Sequence, residues 1–325
     1  MKRRSAIKYA ILSTGSLLLA SGFRPFEGVA AGLSASAAKT DFGVQLFTIP
    51  GMVDKDFRET LKTIREIGYK EVEFFGPYPF SADETKEQWA PMKSMLGLKN
   101  DAFYGFTVQE TAQMLKDFNL TAPSLHADIT SMRKGMAKML DGASVLNPKY
   151  LVIPALIEGR SNLDDYKKLA EEFNRFGEQM SSYNMKFVYH NHGYEHIEMD
   201  GQIPMDFLLQ HTDPNFVQFE LDIFWMRAAG ADPVEFLKKY PNRFMMLHLK
   251  DASESFRFSG DGGSPDQWMA GFSKMSDPGD GVLNVKEIMQ TAIKSGARHL
   301  FLERDLAPEP LKTLKNSFKN LKRFS

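Results

Sequence analysis

The feature that most constrains the fold of this chain is an unbroken alternation of strand-like and helix-like segments from residue 41 onward. Short apolar segments typical of buried strands lie at 42–47, 71–75, 122–126, 150–154, 186–190, 216–222, 244–249 and 299–303. Helix-like segments separate them. Eight such units without a linker predict a single-domain (β/α)₈ TIM barrel over residues 41–325. A doubly wound sheet fits less well, because no glycine-rich phosphate loop follows the first strand.

The spacing of apolar residues predicts the helices as well, and two stretches depart from the alternation. The predicted helices cover 54–67, 84–96, 107–118, 132–146, 163–183, 204–210, 232–239, 285–295 and 310–321. Residues 75–80, Phe-Gly-Pro-Tyr-Pro-Phe, predict a loop that forms a wall of a pocket. Residues 251–281 are rich in Gly, Ser and Asp, and a loop of that length in a compact domain is usually functional or disordered. It follows the seventh strand, on the face where barrel active sites lie.

The first 37 residues have the features of an export signal. Residues 2–4, Lys-Arg-Arg, form a basic start, and residues 9–20 are apolar but short of the roughly 20 residues that span a bilayer. Residues 35–37, Ala-Ser-Ala, match the site that signal peptidase cuts. Residues 3–8 resemble a twin-arginine signal, although Ala6 replaces the usual large apolar residue. The sequence predicts a cleavable signal peptide over 1–37, a periplasmic protein and no stable membrane insertion after cleavage; an uncleaved anchor is the alternative.

Composition limits the partners and the chemistry. The formal net charge of −1 and the pI near 6.7 provide no field that attracts nucleic acid or anionic lipid. We therefore expect a small-molecule partner and no nucleic acid, and a homo-oligomer is compatible with the sequence. The chain has no cysteine, which excludes thiol nucleophiles, zinc–thiolate sites and iron–sulfur clusters.

The sixth predicted strand carries three polar residues on one face. Side chains alternate between the two faces of a strand, so Gln218, Glu220 and Asp222 point the same way. Burying three polar groups together is costly unless they meet partners or a metal. The same alternation places His190 with His192 on the fifth strand.

Histidines concentrate at the carboxyl ends of the predicted strands. Five of the seven lie at or just after such an end: His126, His190, His192, His196 and His248. One histidine in such a place is more often a hydrogen-bonded core or surface residue than a ligand. Five at one rim, at the depth of Asp222 and Glu303, favour a divalent metal site. A sulfur-free set of carboxylates and imidazoles suits Mn²⁺, Co²⁺, Fe²⁺, Zn²⁺ or Mg²⁺ alike.

Such a site has a defined chemistry on sugars. A metal can hold two oxygens of a hydroxy-carbonyl sugar, acidify a carbon-bound proton and stabilise the enediolate. A nearby carboxylate or imidazole then moves the proton. The candidates are Glu195, Glu158, Glu73 and His126. For Glu158 and Glu73, an exposed or salt-bridged position fits the sequence equally well.

Seven motifs follow one another along the chain. They are Gly-Val-Gln-Leu (43–46), Tyr-His-Asn-His-Gly-Tyr-Glu (189–195), Phe-Glu-Leu-Asp-Ile-Phe-Trp (219–225), Ala-Gly-Ala-Asp-Pro-Val (229–234), Leu-His-Leu-Lys-Asp (247–251), Gly-Asp-Gly-Val-Leu (279–283) and Leu-Glu-Arg-Asp (302–305). The series resembles the xylose-isomerase-like sugar (phosphate) isomerase/epimerase barrels, specifically a branch with His-Asn-His on strand five. The ordered series is more specific than any one motif.

The resemblance implies one divalent metal at the ends of strands five to eight. Its ligands would be Asp222, His248, Glu303 and either His190 or His192. Many relatives have a glutamate on strand five that is both ligand and base. Because this chain has histidines there, the catalytic group stays open.

The resemblance also implies roles for the residues around the metal. The catalytic candidates are Glu303, Glu195 and His192. The implied substrate contacts are His126, Lys250, Asp251 and Trp225, the last as a stacking surface for a sugar.

These observations rank several candidate functions. Export, and the lack of an Arg or Lys cluster at the rim, favour an unphosphorylated sugar over a sugar phosphate. A metal-dependent isomerase or epimerase comes first, and a lyase or hydratase of 3-keto-glycosides, which begins with the same proton abstraction, comes second. A DNA-repair endonuclease needs a basic groove that this chain lacks. A non-catalytic sugar-binding protein would tolerate loss of Asp222, His248 and Glu303, which are all present.

Overall fold

A closed parallel barrel forms the centre of the molecule. The computed structural model describes residues 41–325, so the predicted signal peptide lies outside the described residues. The barrel strands are β1 Phe42–Gln45, β2 Glu71–Phe75, β3 Ser124–His126, β4 Tyr150–Ile153, β5 Lys186–His190, β6 Val217–Asp222, β7 Phe244–Leu249 and β10 His299–Leu302. They close in the order β1-β10-β7-β6-β5-β4-β3-β2. The predicted (β/α)₈ barrel is confirmed.

Helices surround this barrel. They are α1 Pro50–Lys55, α2 Phe57–Ile67, α3 Asp83–Met95, α4 Val108–Asp117, α5 Ile129–Ser144, α6 Leu163–Ser181, α7 Pro204–His211, α8 Ile223–Ala228, α9 Pro233–Lys239, α10 Pro265–Phe272, α11 Val285–Lys294 and α12 Pro310–Phe324. The predicted helix over 54–67 is divided in two, because the Asp56 side chain accepts a hydrogen bond from the Glu59 N–H and begins α2 afresh. Within the described range, no helix has the length and apolar character needed to cross a membrane.

The segment after β7 is folded, which corrects the expectation of an irregular loop over 251–281. Strand β8, Asp251–Ala252, pairs antiparallel with β9, Met275–Ser276. Between them, α10 begins with a capping box in which Ser264 and Gln267 satisfy each other's backbone N–H groups. These local hydrogen bonds order the segment.

The barrel interior is layered because side chains alternate along each strand. A separate apolar cluster of Val152, Val188, Met246 and Phe301 lies inside the barrel. Two residues further along three of these strands are His190, His248 and Glu303. The alternation that buries the apolar cluster therefore directs these polar side chains into the barrel above it.

Candidate metal centre

Donor atoms from four neighbouring strand ends converge inside the barrel. His248 Nδ1 lies 2.5 Å from Glu303 Oε2, and His190 Nε2 lies 3.7 Å from Asp222 Oδ2. Asp222, His248 and Glu303 offer one atom each within 4.8 Å of one another. All four side chains are buried. The structure thus brings together four of the five candidate ligands, with His190 in the position for which the sequence left His190 and His192 open.

The donor atoms fit a divalent cation. Asp222 Oδ2, His248 Nδ1 and Glu303 Oε2 are buried and have no hydrogen-bond partner among residues 41–325. Lys250 Nζ is 2.9 Å from both carboxylate oxygens, but the angles are not those of hydrogen bonds, so this contact is an ion pair. Buried polar atoms without partners are rare in native structures. Converging carboxylate oxygens and imidazole nitrogens are the donor types that suit Zn²⁺, Mn²⁺, Co²⁺ or Fe²⁺.

Two buried glutamates orient the ligand histidines. Glu220 lies 3.0 Å from His190 Nδ1 and 3.1 Å from His248 Nε2. Glu73 lies 2.6 Å from His248 Nε2. The opposite ring nitrogens therefore face Asp222. A carboxylate bound to the distal nitrogen of a ligand histidine sets its tautomer and raises its basicity.

The charge state of these glutamates follows from their neighbours. Burial raises the pKa of Glu220, but the charge of His248 and hydrogen bonds from His126 and His190 outweigh burial and hold that pKa well below its ordinary value. The sequence left open whether Glu73 and Glu158 transfer protons or are merely exposed or salt-bridged. Glu158 is exposed, whereas Glu73 is fully buried and paired with His126 and His248. The sequence showed Glu220 on the same face as Asp222 but gave no indication of which histidines it would meet.

Lys250 is surrounded by carboxylates. Its Nζ lies 2.6 Å from Asp305 Oδ2, in addition to its contacts with Asp222 and Glu303. Burial lowers the pKa of Lys250, but the three carboxylates outweigh it and raise that pKa well above its ordinary value. Burial raises the pKa of Asp305 to about 7. Asp305 lines the pocket and escaped the sequence analysis, although it belongs to the motif at 302–305.

The two remaining pocket histidines are in opposite charge states. His126 Nε2 lies 3.1 Å from both Glu73 and Glu220; burial lowers its pKa, but the carboxylates raise it to about 9. His192 contacts no carboxylate of the cluster, and burial holds its pKa well below the ordinary value. His126 is therefore an imidazolium at neutral pH, and His192 is a neutral imidazole.

The structure distinguishes His190 from His192. Strand β5 ends at His190, so the alternation that paired the two residues no longer applies at His192. The His192 ring instead lies parallel to the Trp225 ring at 5.8 Å, and 4.8 Å from the Trp268 ring. His190 is the residue placed against Asp222, and His192 lines the pocket.

The catalytic expectation for Glu195 is corrected by its position. Glu195 is fully buried and lies outside the pocket wall. Its carboxylate accepts hydrogen bonds from the Tyr189 hydroxyl and from the backbone N–H of His192 and Gly193. It therefore shapes the turn after β5 and has no access to a substrate.

The substrate-binding expectation for Asp251 is corrected in the same way. Its carboxylate accepts hydrogen bonds from four backbone N–H groups, at 2.8 to 3.0 Å: Ala252, Gly279, Gly281 and Leu283. Asp251 is not among the residues that line the pocket. It joins the beginning of the segment after β7 to residues 279–283 at the segment's far end.

A cavity of about 440 Å³ opens above the donor cluster. Its floor includes His126, His190, Lys250 and Glu303, and the predicted wall at 75–80 is present through residues 75–77. Trp225 lines it too, but it is only 1% exposed and lies parallel to the Phe258 ring as well as to that of His192. Little of the Trp225 ring is open to a sugar.

Fold and donor set define a barrel protein with a buried cluster of carboxylates and imidazoles, at the carboxyl ends of its strands, that could hold a metal ion. Residues 61–324 match the family described as xylose isomerase-like TIM barrel, and the chain belongs to this family. An inosose dehydratase of Clostridium tetani is 36% identical over 91 residues, 28% of this chain and 30% of that protein. The chain therefore spans about a third of the curated relatives' length.

Solved structures share the fold. A sugar phosphate isomerase/epimerase from Parabacteroides distasonis superposes with a TM-score of 0.67 at 24% identity, covering 90% of this chain and 97% of that one. The zinc-bound IolI protein superposes with a TM-score of 0.61 at 15% identity, covering 88% and 96%. At these identities the similarity shows the fold alone.

Proposed function

We propose that this protein is a divalent-metal-dependent carbon–oxygen lyase that acts on an unphosphorylated keto sugar or keto-glycoside. A base removes the proton on the carbon next to the carbonyl, a carbon–carbon double bond forms, and the oxygen substituent on the following carbon leaves with a proton. The observation that carries this proposal is the buried cluster of Asp222, His248 and Glu303, each with a donor atom that has no hydrogen-bond partner among the described residues, together with His190 beside Asp222.

These four residues would hold the ion. When bound, it supplies a Lewis acid that polarises the substrate carbonyl and makes the adjacent proton more acidic. Glu220 and Glu73 keep the histidine rings turned toward it. The four side chains already lie together at neighbouring strand ends, so an ion would bind after small side-chain shifts and displacement of the Lys250 ammonium.

The proton-transfer roles fall on the pocket histidines. His192 is a neutral imidazole because burial lowers its pKa, and its Nδ1 has no hydrogen-bond partner within the described chain. We assign it the role of base. His126, as an imidazolium, can donate a proton to the departing oxygen, and the Lys250 ammonium can bind a substrate oxygen.

Two observations support elimination and an unphosphorylated substrate. The relatives that match part of the chain are named inosose dehydratases, and a dehydratase is a carbon–oxygen lyase. Among the described residues that line the pocket, Lys250 is the only Lys or Arg, and carboxylates surround it. A phosphate dianion would find no free cation of that kind there.

Isomerisation or epimerisation is the second candidate. The observation that favours it is the presence of two proton-transferring groups, His126 and His192, in one pocket. A proton taken by one can be returned to carbon by the other. Both candidates share the first step and the same metal.

One experiment tests the metal and separates the two reactions. The purified protein is analysed for bound metal and then incubated in deuterated water with 3-keto-glycosides and with free keto sugars. We expect release of the aglycone; deuterium in a recovered sugar without release would instead establish isomerisation. Asp222→Ala and His248→Ala should lose the metal, whereas the exposed control Glu158→Ala should keep it. Metal-free wild type, or full metal in both variants, would contradict the proposal.

We also propose that the protein is exported to the periplasm through its twin-arginine-like leader. The support is the sequence of residues 1–37. Full-length chain should appear in the periplasmic fraction in a shortened form. Replacing Arg3 and Arg4 together with Lys should leave it uncleaved in the cytoplasm; unchanged export of this variant would argue for another route.

A further inference from the structure

We infer that the pocket has an outer subsite for the flat apolar aglycone of an aryl glycoside, formed by α3 and α10. This inference rests on the proposed function, which supplies a glycoside as substrate. The inference specifies the chemical class of the aglycone, the group that is attached to the sugar.

The two helices contribute little to the barrel core. Helix α3 buries none of its 13 residues and contains Pro91, and α10 buries only Gly271. Yet α3 places Trp89 and Met92 in the pocket wall, and α10 places Trp268 and Phe272 there. Trp89 and Met92 belong to no apolar core cluster of the described chain, whereas Trp268 and Phe272 pack on such a cluster with one side and line the cavity as well. Large apolar side chains that line a cavity mark a binding surface.

Aromatic rings line the way from the donor cluster to the mouth. The Phe75 and Trp89 rings meet edge to face at 6.0 Å. Trp268 lies 4.8 Å from His192, and its Nε1 donates a 2.7 Å hydrogen bond to the Gly262 carbonyl. The polar atom of Trp268 is therefore satisfied within its own loop, which leaves the ring for apolar contact. Ile157, 67% exposed, completes the rim.

Two of the polar side chains in this outer part, Thr85 and Asp128, are already engaged, whereas Gln88 makes no hydrogen bond among the described residues. Thr85 Oγ1 donates a 2.6 Å hydrogen bond to Asp128, and Asp128 also accepts from the Ser131 N–H and hydroxyl, at 2.7 and 2.6 Å. A second sugar ring would bring several hydroxyl groups into a region with few free partners. A planar apolar group gains burial there without leaving hydrogen bonds unmade. The chemistry of the wall therefore favours an aryl group over a second sugar.

The first test measures the subsite without catalysis. Calorimetric titration of the metal-stripped protein with 2-naphthol should detect binding, because no metal ligand belongs to the subsite. Trp89→Ala and Trp268→Ala should each weaken it by roughly threefold to tenfold, the range of one aromatic contact, and Trp89→Phe should retain most of it. The control Leu311→Ala, a 43% exposed residue on α12, should change nothing. Equal binding by all four variants would overturn the subsite.

The second test uses the metal-loaded protein with phenyl, methyl and glucosyl 3-keto-glucosides. We expect the KM of the phenyl compound to be about tenfold below that of the methyl compound, and Trp89→Ala to remove the difference. Turnover with equal KM values, or a lower KM for the glucosyl compound, overturns the aglycone subsite and leaves the lyase proposal standing. If naphthol binding depends on Trp89 and Trp268 but no keto-glycoside releases its aglycone, the subsite is supported and the lyase proposal is overturned.

Discussion

At the scale of single residues, the candidate site depends on which ring nitrogen each histidine presents to which carboxylate. His190 turns Nδ1 to Glu220, and His248 turns Nε2 to Glu220 and Glu73. The remaining nitrogens therefore face Asp222 and its neighbours. The carboxylates that would bind an ion also surround the Lys250 ammonium. The ammonium and a metal ion would therefore compete for the same oxygen atoms, and this competition can be measured.

Lys250→Met should raise the affinity for a divalent ion by about tenfold. Its ammonium lies 2.9 Å from both Asp222 Oδ2 and Glu303 Oε2, where it repels a second cation by roughly 1–4 kcal/mol. Calorimetric titration of the chelator-treated protein measures the affinity. Lys312→Met, at an exposed pair with Glu309, is the matched control and should leave the affinity unchanged. Weaker binding to Lys250→Met would show that the lysine supports the site.

His196 should make the protein less stable in acid. Burial lowers the pKa of its imidazole to about 3, and neither ring nitrogen has a hydrogen-bond partner in the described part of the chain. The unfolded chain, with a pKa near about 6.5, binds the proton first, so stability is complete above that value. Below it, stability falls by up to about 1.4 kcal/mol per pH unit until the pH nears the folded-state pKa.

Urea unfolding at several pH values checks this. His196→Leu should reduce the loss of unfolding free energy between neutral pH and pH 5, relative to wild type. His211→Gln, at an exposed histidine, should follow the wild-type curve. An unchanged pH dependence in His196→Leu would contradict the assignment.

At the scale of elements, the strands and long helices follow from the spacing of apolar residues, whereas two short helices follow from the hydrogen bonds that cap their N-termini. Strands β2, β5 and β7 have the predicted bounds. Helix α8 was not predicted; it begins where the Asp222 carboxylate accepts hydrogen bonds from the N–H groups of Phe224 and Trp225. Helix α10 begins at a capping box, which is a short signal inside a glycine-rich segment. Both helices add residues to the pocket wall.

Helix α6 approaches the barrel closely at one glycine. A Cβ at Gly177 would lie 2.6 Å from the Phe216 carbonyl oxygen, a backbone atom that cannot move aside. Gly177→Ala should therefore lower the free energy of unfolding by about 1–3 kcal/mol. Gly51→Ala in α1, where a Cβ meets nothing within 4 Å, is the control and should be neutral or stabilising by up to about 1 kcal/mol. Urea unfolding measures both; equal effects would show that the contact is relaxed in solution.

At the scale of the whole molecule, the candidate metal centre connects strands that lie far apart in the chain. Its donors come from β5, β6, β7 and the segment after β10, so an ion would join elements that span residues 186–303. Binding that is specific to the folded state stabilises the entire barrel. The effect is therefore global and not confined to the pocket.

Metal removal should lower the thermal stability of the protein. An ion present at a hundred times its Kd adds about 2.7 kcal/mol to the free energy of unfolding. Differential scanning fluorimetry should show a lower Tm after chelation and recovery on adding Zn²⁺ or Mn²⁺. Asp222→Ala should have a Tm that chelator leaves unchanged. A wild-type Tm that is insensitive to both chelator and metal would argue against a resident ion.

Local patterns in the sequence predicted the barrel, and they placed the three candidate ligands Asp222, His248 and Glu303 at its strand ends. Strand alternation is local, so parity along one strand places its side chains inside or outside the barrel. The same rule failed at His192, because a strand's end is decided by the turn that follows it. Alternation along a strand also cannot locate Glu195, because this residue lies in the turn after β5. Its position next to the histidines in sequence gives no sign that it is fully buried.

Which side chains meet across the barrel depends on tertiary contacts. Glu73 and His248 are 175 positions apart and touch at 2.6 Å, because the register between strands sets their depth. The aromatic mouth likewise depends on α3 and α10 folding back over the same cavity. Periodicity specifies the orientation of a side chain on its own element. Its partner is specified by register and loop packing, which arise from contacts distant in sequence.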